Sequence, residues 1–157
     1  MPDIVGSHNC SQVFVSVVLL PVERFEDRLD PQWLSKPANM QVLRALIDTG
    51  AQGTCITPSA ADKLGLEPVG TFRVHGVGGA KLHRYYLFKV GFVDLQTTEL
   101  GYRSPKFHMF DKEIQGAEFD CGDAEFDVLL GMDILSGGTL TIANSGHFKF
   151  SFDVSDQ

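Results

Sequence analysis

Ala45-Leu46-Ile47-Asp48-Thr49-Gly50-Ala51 is the stretch on which the reading of this chain turns. Three apolar residues form a strand with every reason to be buried, and the strand then stops at a carboxylate. An aspartate in such a place is ordinarily a turn residue or a helix cap. Its setting gives Asp48 another meaning. A carboxylate held between an apolar strand and a turn of small residues sits rigidly at the floor of a cleft. Gly50 leaves room for a substrate backbone, and Thr49 offers a hydroxyl to a neighbouring main chain.

Outward from that turn the chain reads as mostly β with one or two short helices. Residues 13–20 are a β-branched run and a strand, and 41–47 form the strand that ends at Asp48. Residues 21–37 are polar, broken by Pro31 and Pro37, and read as a surface connection with room for a short helix. Residues 54–57 are a short strand. Thr57, Pro58 and Gly65 then supply the N-cap, first helical position and C-terminal stop of a helix. Strands are expected at 71–74 and 82–92 around a turn rich in glycine (Gly76, Gly78, Gly79), and a further strand at 93–100. Residues 101–124 are mixed, with a strand at 107–110. Residues 126–130 are apolar, 132–135 open a helical turn, and Asn144-Ser145-Gly146 joins strands 139–143 and 147–152. There is no internal repeat and no low-complexity tract, so 1–157 is expected to be one domain.

Composition narrows the function. A formal charge of −7 and no Lys/Arg cluster argue against nucleic acid as a partner. The apolar run at 13–21 is too short to span a bilayer, and a signal sequence would carry a basic residue before it, where this chain has Asp3. No membrane association is expected. Cys10, Cys55 and Cys121 cannot all pair within one chain and lack metal-binding spacing, so reduced thiols and a cytoplasmic location are the expectation.

The segment 46–51 resembles the active-site turn of retroviral-type aspartic proteases, the retropepsins. Two other stretches agree in order and approximate spacing. Gly76-Val77-Gly78-Gly79-Ala80-Lys81, with Tyr85 and Tyr86 beyond, is similar to the flap that closes over a bound peptide. Val128-Leu129-Leu130-Gly131, followed by Met132-Asp133-Ile134-Leu135, is similar to the segment and short helix beneath the catalytic loop. The likeness covers about 40–152, with an unmatched insertion near 101–123. It implies a retropepsin-like closed β fold whose half-site is completed by dimerisation. It also implies Asp48, Thr49 and Gly50 as catalytic residues, and Ala51, Gly76, Val77, Gly78 and Gly79 as residues that contact substrate. The Thr49 hydroxyls and strands near the termini would join the two subunits. Where the viral enzymes carry an acidic and arginine ion-pair network, this chain has Gln52, Gly53 and Met132.

The chemistry of such a site needs two carboxylates close enough to share one proton. One acts as base on a water, while the other, protonated, polarises the scissile carbonyl. This chain has one such segment, so a second copy must supply the other carboxylate. The expected function is an aspartic endopeptidase, a homodimer acting on extended polypeptide, with no metal and no cofactor. The competing reading is a catalytically weak or inactive dimer of the same fold that binds peptide or protein partners. Asp133, at a helix start, reads as an N-cap or a dipole-facing carboxylate. Glu118, Asp120, Asp123, Glu125 and Asp127 read as a solvated acidic loop. His75 and His83 flank the glycine-rich turn and read as exposed strand histidines, or as groups that touch substrate.

Overall fold

A computed structural model describes residues 2–8, 11–22, 41–97, 100–101, 103–120, 122 and 125–153. The polar connection expected at 21–37 falls largely outside these residues, as do Cys10, Cys121 and Asp123. Among the described residues, ten strands and two helices follow one another: β1 (Asp3–Ser7), β2 (Phe14–Pro21), β3 (Leu43–Ile47), β4 (Cys55–Ile56), α1 (Pro58–Leu64), β5 (Gly70–Gly76), β6 (Gly79–Thr97), β7 (Arg103–Glu118), β8 (Val128–Leu130), α2 (Met132–Leu135), β9 (Gly138–Ile142) and β10 (His147–Phe152). The expectation of a mostly β chain with short helices holds.

Seven strands pair in the order β2-β3-β8-β4-β7-β6-β5, and β6 also pairs with β2. One edge of β6 is shared: residues 79–85 pair with β5, and 88–92 pair with β2. The sheet thereby closes on itself, while the β5–β6 hairpin projects from the closed part. Closure leaves the inward positions of each strand dry, and Val17, Ala45, Phe88, Val90, Phe92, Val128 and Leu130 are all fully buried. β1, β10 and β9 form a second, antiparallel sheet that joins the two ends of the chain. It is fastened to the barrel by aromatic packing, with Phe152 lying 5.1 Å from Phe92 and 5.7 Å from Phe110, ring centre to ring centre.

Helix α1 forms as its punctuation requires. The Thr57 hydroxyl accepts from the Ala60 N–H at 3.2 Å, and Gly65 closes the helix at φ +62°. The 144–146 turn also forms, with Gly146 at φ +92°.

The structure corrects the reading in the middle of the chain. The strand expected at 93–100 is a continuation of β6, which runs unbroken to Thr97. The mixed segment at 101–124, read as an insertion with a strand at 107–110, contains the 16-residue strand β7, a stave of the barrel. Its pattern is hard to read because of a bulge. Phe88 faces Ile114 and Val90 faces Phe110, so Asp111, Lys112 and Glu113 all lie opposite Lys89. Three successive exposed charges interrupt the alternation that marks a strand. β1 carries no such local signal either; its pairing partner β10 lies at the far end of the sequence.

Candidate active site

β3 lies between β2 and β8 in the sheet, and its last residue, Ile47, is buried. Asp48 follows at the point where the strand leaves the sheet, held by its own N–H donating to the Leu130 carbonyl of β8 at 3.0 Å. Its side chain turns back on the chain: Oδ1 accepts the Gly50 N–H at 2.9 Å. Gly50 is small for a reason, since a Cβ there would sit 3.2 Å from that same Oδ1. The carboxylate is half-buried, Thr49 and Gly50 are exposed, and the Thr49 hydroxyl has no partner among the described residues.

The loop from Ala51 to Thr54 is fastened from below by the start of α2. Met132 N–H donates to the Ala51 carbonyl at 2.8 Å, and Asp133 N–H to the Gln52 carbonyl at 3.1 Å. In return, the Asp133 carboxylate accepts the Thr54 N–H at 3.0 Å and the Thr54 hydroxyl at 2.7 Å. The Thr54 oxygen also accepts the Gly131 N–H at 3.1 Å. Thr54 is only 1% exposed, so each of these polar groups depends on the others for a partner. Asp133 therefore does more than the helix-start role read from sequence. Gly131 holds the N-cap position, and Asp133, in the first turn, is a strut for the loop that follows Asp48.

Gly131 is required by close approach rather than by backbone conformation. A Cβ there would lie 2.6 Å from both the carbonyl carbon and the oxygen of Gly53. Gly131→Ala is expected to push the loop aside at a cost of about 1–3 kcal/mol, measured as a fall in the urea midpoint. An unchanged midpoint would mean that the loop is not packed against α2 in this way.

Above the loop stands the β5–β6 hairpin. Its turn is Val77-Gly78, with Gly76 paired to Gly79. Gly79 takes φ +98°, which favours glycine. Val77 is fully exposed at the tip. Of the residues expected to meet substrate, Gly50 and Ala51 line the cleft between loop and hairpin, while Gly76, Val77, Gly78 and Gly79 form the outer end of the hairpin. The cleft measures about 540 Å³ and is lined by Gly50, Ala51, Gln52, Gly53, Cys55 and Ala117 on one side and by residues 72–75 on the other. A groove of about 590 Å³ on the terminal sheet has no carboxylate in its walls and lies apart from this loop.

The base of the hairpin is anchored by Glu118, which sequence reading places in a solvated loop. Glu118, at the end of β7, accepts from the Tyr86 hydroxyl and from Arg84 Nη2 at 2.8 Å. His83 Nδ1 meets the Glu118 carbonyl oxygen at 2.7 Å, so His83 is half-buried rather than an exposed strand histidine. His75 is exposed and lines the cleft. Burial alone would raise the Glu118 pKa, but the hydrogen bonds from Tyr86 and Arg84 outweigh it and leave the carboxyl below its usual value. Burial, and then the bond to Glu118, push the Tyr86 phenol up to about 12. A phenol raised on folding favours the folded state most below its ordinary pKa of 10.0, and that contribution fades as pH climbs toward 12. Tyr86→Phe should accordingly flatten the loss of stability between pH 10 and pH 12, read from denaturation midpoints across that window. An unaltered alkaline slope would contradict the assignment.

Asp127 also departs from the loop reading: its carboxylate accepts the Arg44 N–H at 3.2 Å and helps hold β3 beside β8. Among the described residues, no group of three or more His, Cys, Asp or Glu is placed to hold a metal ion.

Comparison with known proteins agrees with this geometry. No curated protein sequence matches the chain. Among solved structures, a retropepsin-like aspartic protease from Rickettsia conorii superposes with a TM-score of 0.50 at 17% identity, covering 96% of this chain and 91% of that one. The retroviral protease-like domain of Ddi1 from Leishmania major gives 0.41 at 16% identity, over 85% and 82% of the two chains. The fold is retropepsin-like. The family model for aspartyl proteases matches residues 38–134. Because that match takes in the Asp48 turn, the hairpin above it and the Gly131 contact below it, the chain belongs to the aspartyl protease family.

Proposed function

We propose that the chain is an aspartic endopeptidase whose active centre forms when Asp48 of two copies meets across a two-fold axis. The observation that carries this reading is Asp48 itself. A half-buried carboxylate, its residue's N–H held by the Leu130 carbonyl and its Oδ1 accepting the Gly50 N–H, stands beside a cleft whose lining residues include no acid. One carboxylate cannot both take a proton from water and hold a proton for the substrate carbonyl. Two related by symmetry can, since a single proton shared between them leaves one base and one acid.

In this scheme the ionised Asp48 accepts a proton from water as the oxygen attacks the peptide carbonyl carbon. The protonated Asp48 of the second copy gives its proton to the carbonyl oxygen, leaving a neutral tetrahedral diol. Proton return to the peptide nitrogen then breaks the C–N bond, releasing a new carboxyl and a new amine. Ala51 and Gly50 shape the floor of the cleft. Gly76, Val77, Gly78 and Gly79 close over the substrate from above, in a motion that the open space around Gly78 and Gly79 and the full exposure of Val77 allow. The Thr49 hydroxyl, exposed and without a partner among the described residues, is available to the second copy.

A centre built from two chains ties activity to concentration. Specific activity on a peptide should fall as the protein is diluted through the dissociation constant of the dimer, in step with the sedimentation coefficient. A specific activity that stays constant while sedimentation reports monomer would contradict the reading.

A further inference from the structure

Residues 70–93 contain no aspartate and no glutamate, in a chain with 20 acidic residues against 13 Lys and Arg. This run is β5, its turn and most of β6. It carries Arg73, Lys81, Arg84 and Lys89, with His75 and His83. The two cations nearer the barrel are already engaged, Arg84 with Glu118 at 2.8 Å and Lys89 with Asp111 at 3.1 Å. Arg73 and Lys81, further out on the hairpin, have no carboxylate partner among the described residues. Both are exposed, in a protein with acids to spare.

Arg73 and His75 belong to the lining of the cleft beside Asp48. The opposite wall, Gly50 to Gly53 with Cys55 and Ala117, carries no charge. An exposed guanidinium on the rim of a cleft whose other wall is uncharged is available to a carboxylate, which it can grip with two parallel hydrogen bonds. The net charge of −7 disfavours an acidic ligand over the surface on average, so a local basic wall weighs on where such a ligand docks.

We propose that this cleft selects extended peptides carrying an aspartate or glutamate side chain against Arg73, with His75, two residues on and on the same face of β5, flanking that position. Arg73 is then a specificity-determining residue. The inference rests on the reading of the cleft as a peptide-binding one, and goes beyond it by naming the substrate class.

The test uses the full chain with Asp48→Asn, so that binding is measured apart from cleavage. Two matched sets of labelled peptides are titrated at low and high salt: one has Asp or Glu stepped through each position, the other has Asn or Gln there. The acidic set should bind about three- to tenfold more tightly at one position, with the advantage shrinking at high salt. Arg73→Glu should reverse the preference and favour a Lys or Arg at that position. Equal binding of the two sets, no binding of either, or a preference untouched by Arg73→Glu overturns the proposal. Failure of the protease reading shows differently, as wild-type protein that binds the acidic peptide and cuts no peptide at all. Wild-type protein that cuts both sets with equal kcat/KM leaves the protease reading standing and removes this one.

Discussion

Asp48→Asn should lower peptide cleavage by about 10³-fold or more, because the substitution removes the proton chemistry and little else. Asparagine has nearly the same shape as aspartate, and its amide oxygen can still accept the Gly50 N–H that Asp48 Oδ1 accepts at 2.9 Å. The backbone bond from residue 48 to Leu130 is unaffected by the side chain. The turn, the strand before it and the thermal midpoint should therefore change little. An amide can neither take a proton from water nor hold one for the carbonyl oxygen, so a centre containing two such amides has no base and no acid. The measurement is a cleavage assay run beside a thermal melt. A variant that melts normally and keeps substantial activity would place the catalytic group elsewhere. A variant that fails to fold would say that the turn needs the charge itself.

The largest loss of stability is expected from a residue that touches no substrate. Asp133→Ala removes the acceptor for the Thr54 N–H, the Thr54 hydroxyl and the Ile134 N–H. Thr54 is buried, so its two donors have no water to turn to. Leaving buried donors unpaired costs about 1–3 kcal/mol each, and about 3 kcal/mol in total is expected here. In a chain of this size that is a fall of roughly 6–12 °C in Tm. Activity should drop with it, since the loop from Ala51 to Thr54 loses its strut. Asp133→Asn keeps one oxygen acceptor and sets an N–H₂ against a donor, so about half the loss should return. Alanine and asparagine variants that both melt like wild type would mean that Thr54 finds partners elsewhere.

How much of this was legible in the sequence depended on how local the cause was. The Asp48 turn, the Thr57-Pro58 start and Gly65 stop of α1, and the turn at Asn144-Ser145-Gly146 are each determined within a few residues, and each forms as read. β7 was obscured because its bulge places three charged residues opposite one partner, which erases the two-residue period. β1 is five residues long and owes its existence to β10, which no local pattern reveals. The site divides the same way. Asp48 and the glycines of the hairpin announce themselves by neighbours in sequence. Asp133 and Glu118 do not, because their partners Thr54 and Arg84 lie 79 and 34 residues away. A carboxylate whose role is to hold a distant backbone looks in sequence like any exposed acid.

The claim on which the functional account stands is that one active centre needs Asp48 from two chains. Co-expressing wild-type and Asp48→Asn chains in varied proportion, then assaying at fixed total protein, tests it directly. If both carboxylates are required and the chains pair at random, activity follows the square of the wild-type fraction, falling to about a quarter in an equal mixture. Activity that follows the wild-type fraction linearly, at about a half in the equal mixture, would show that each chain works alone and would contradict the account.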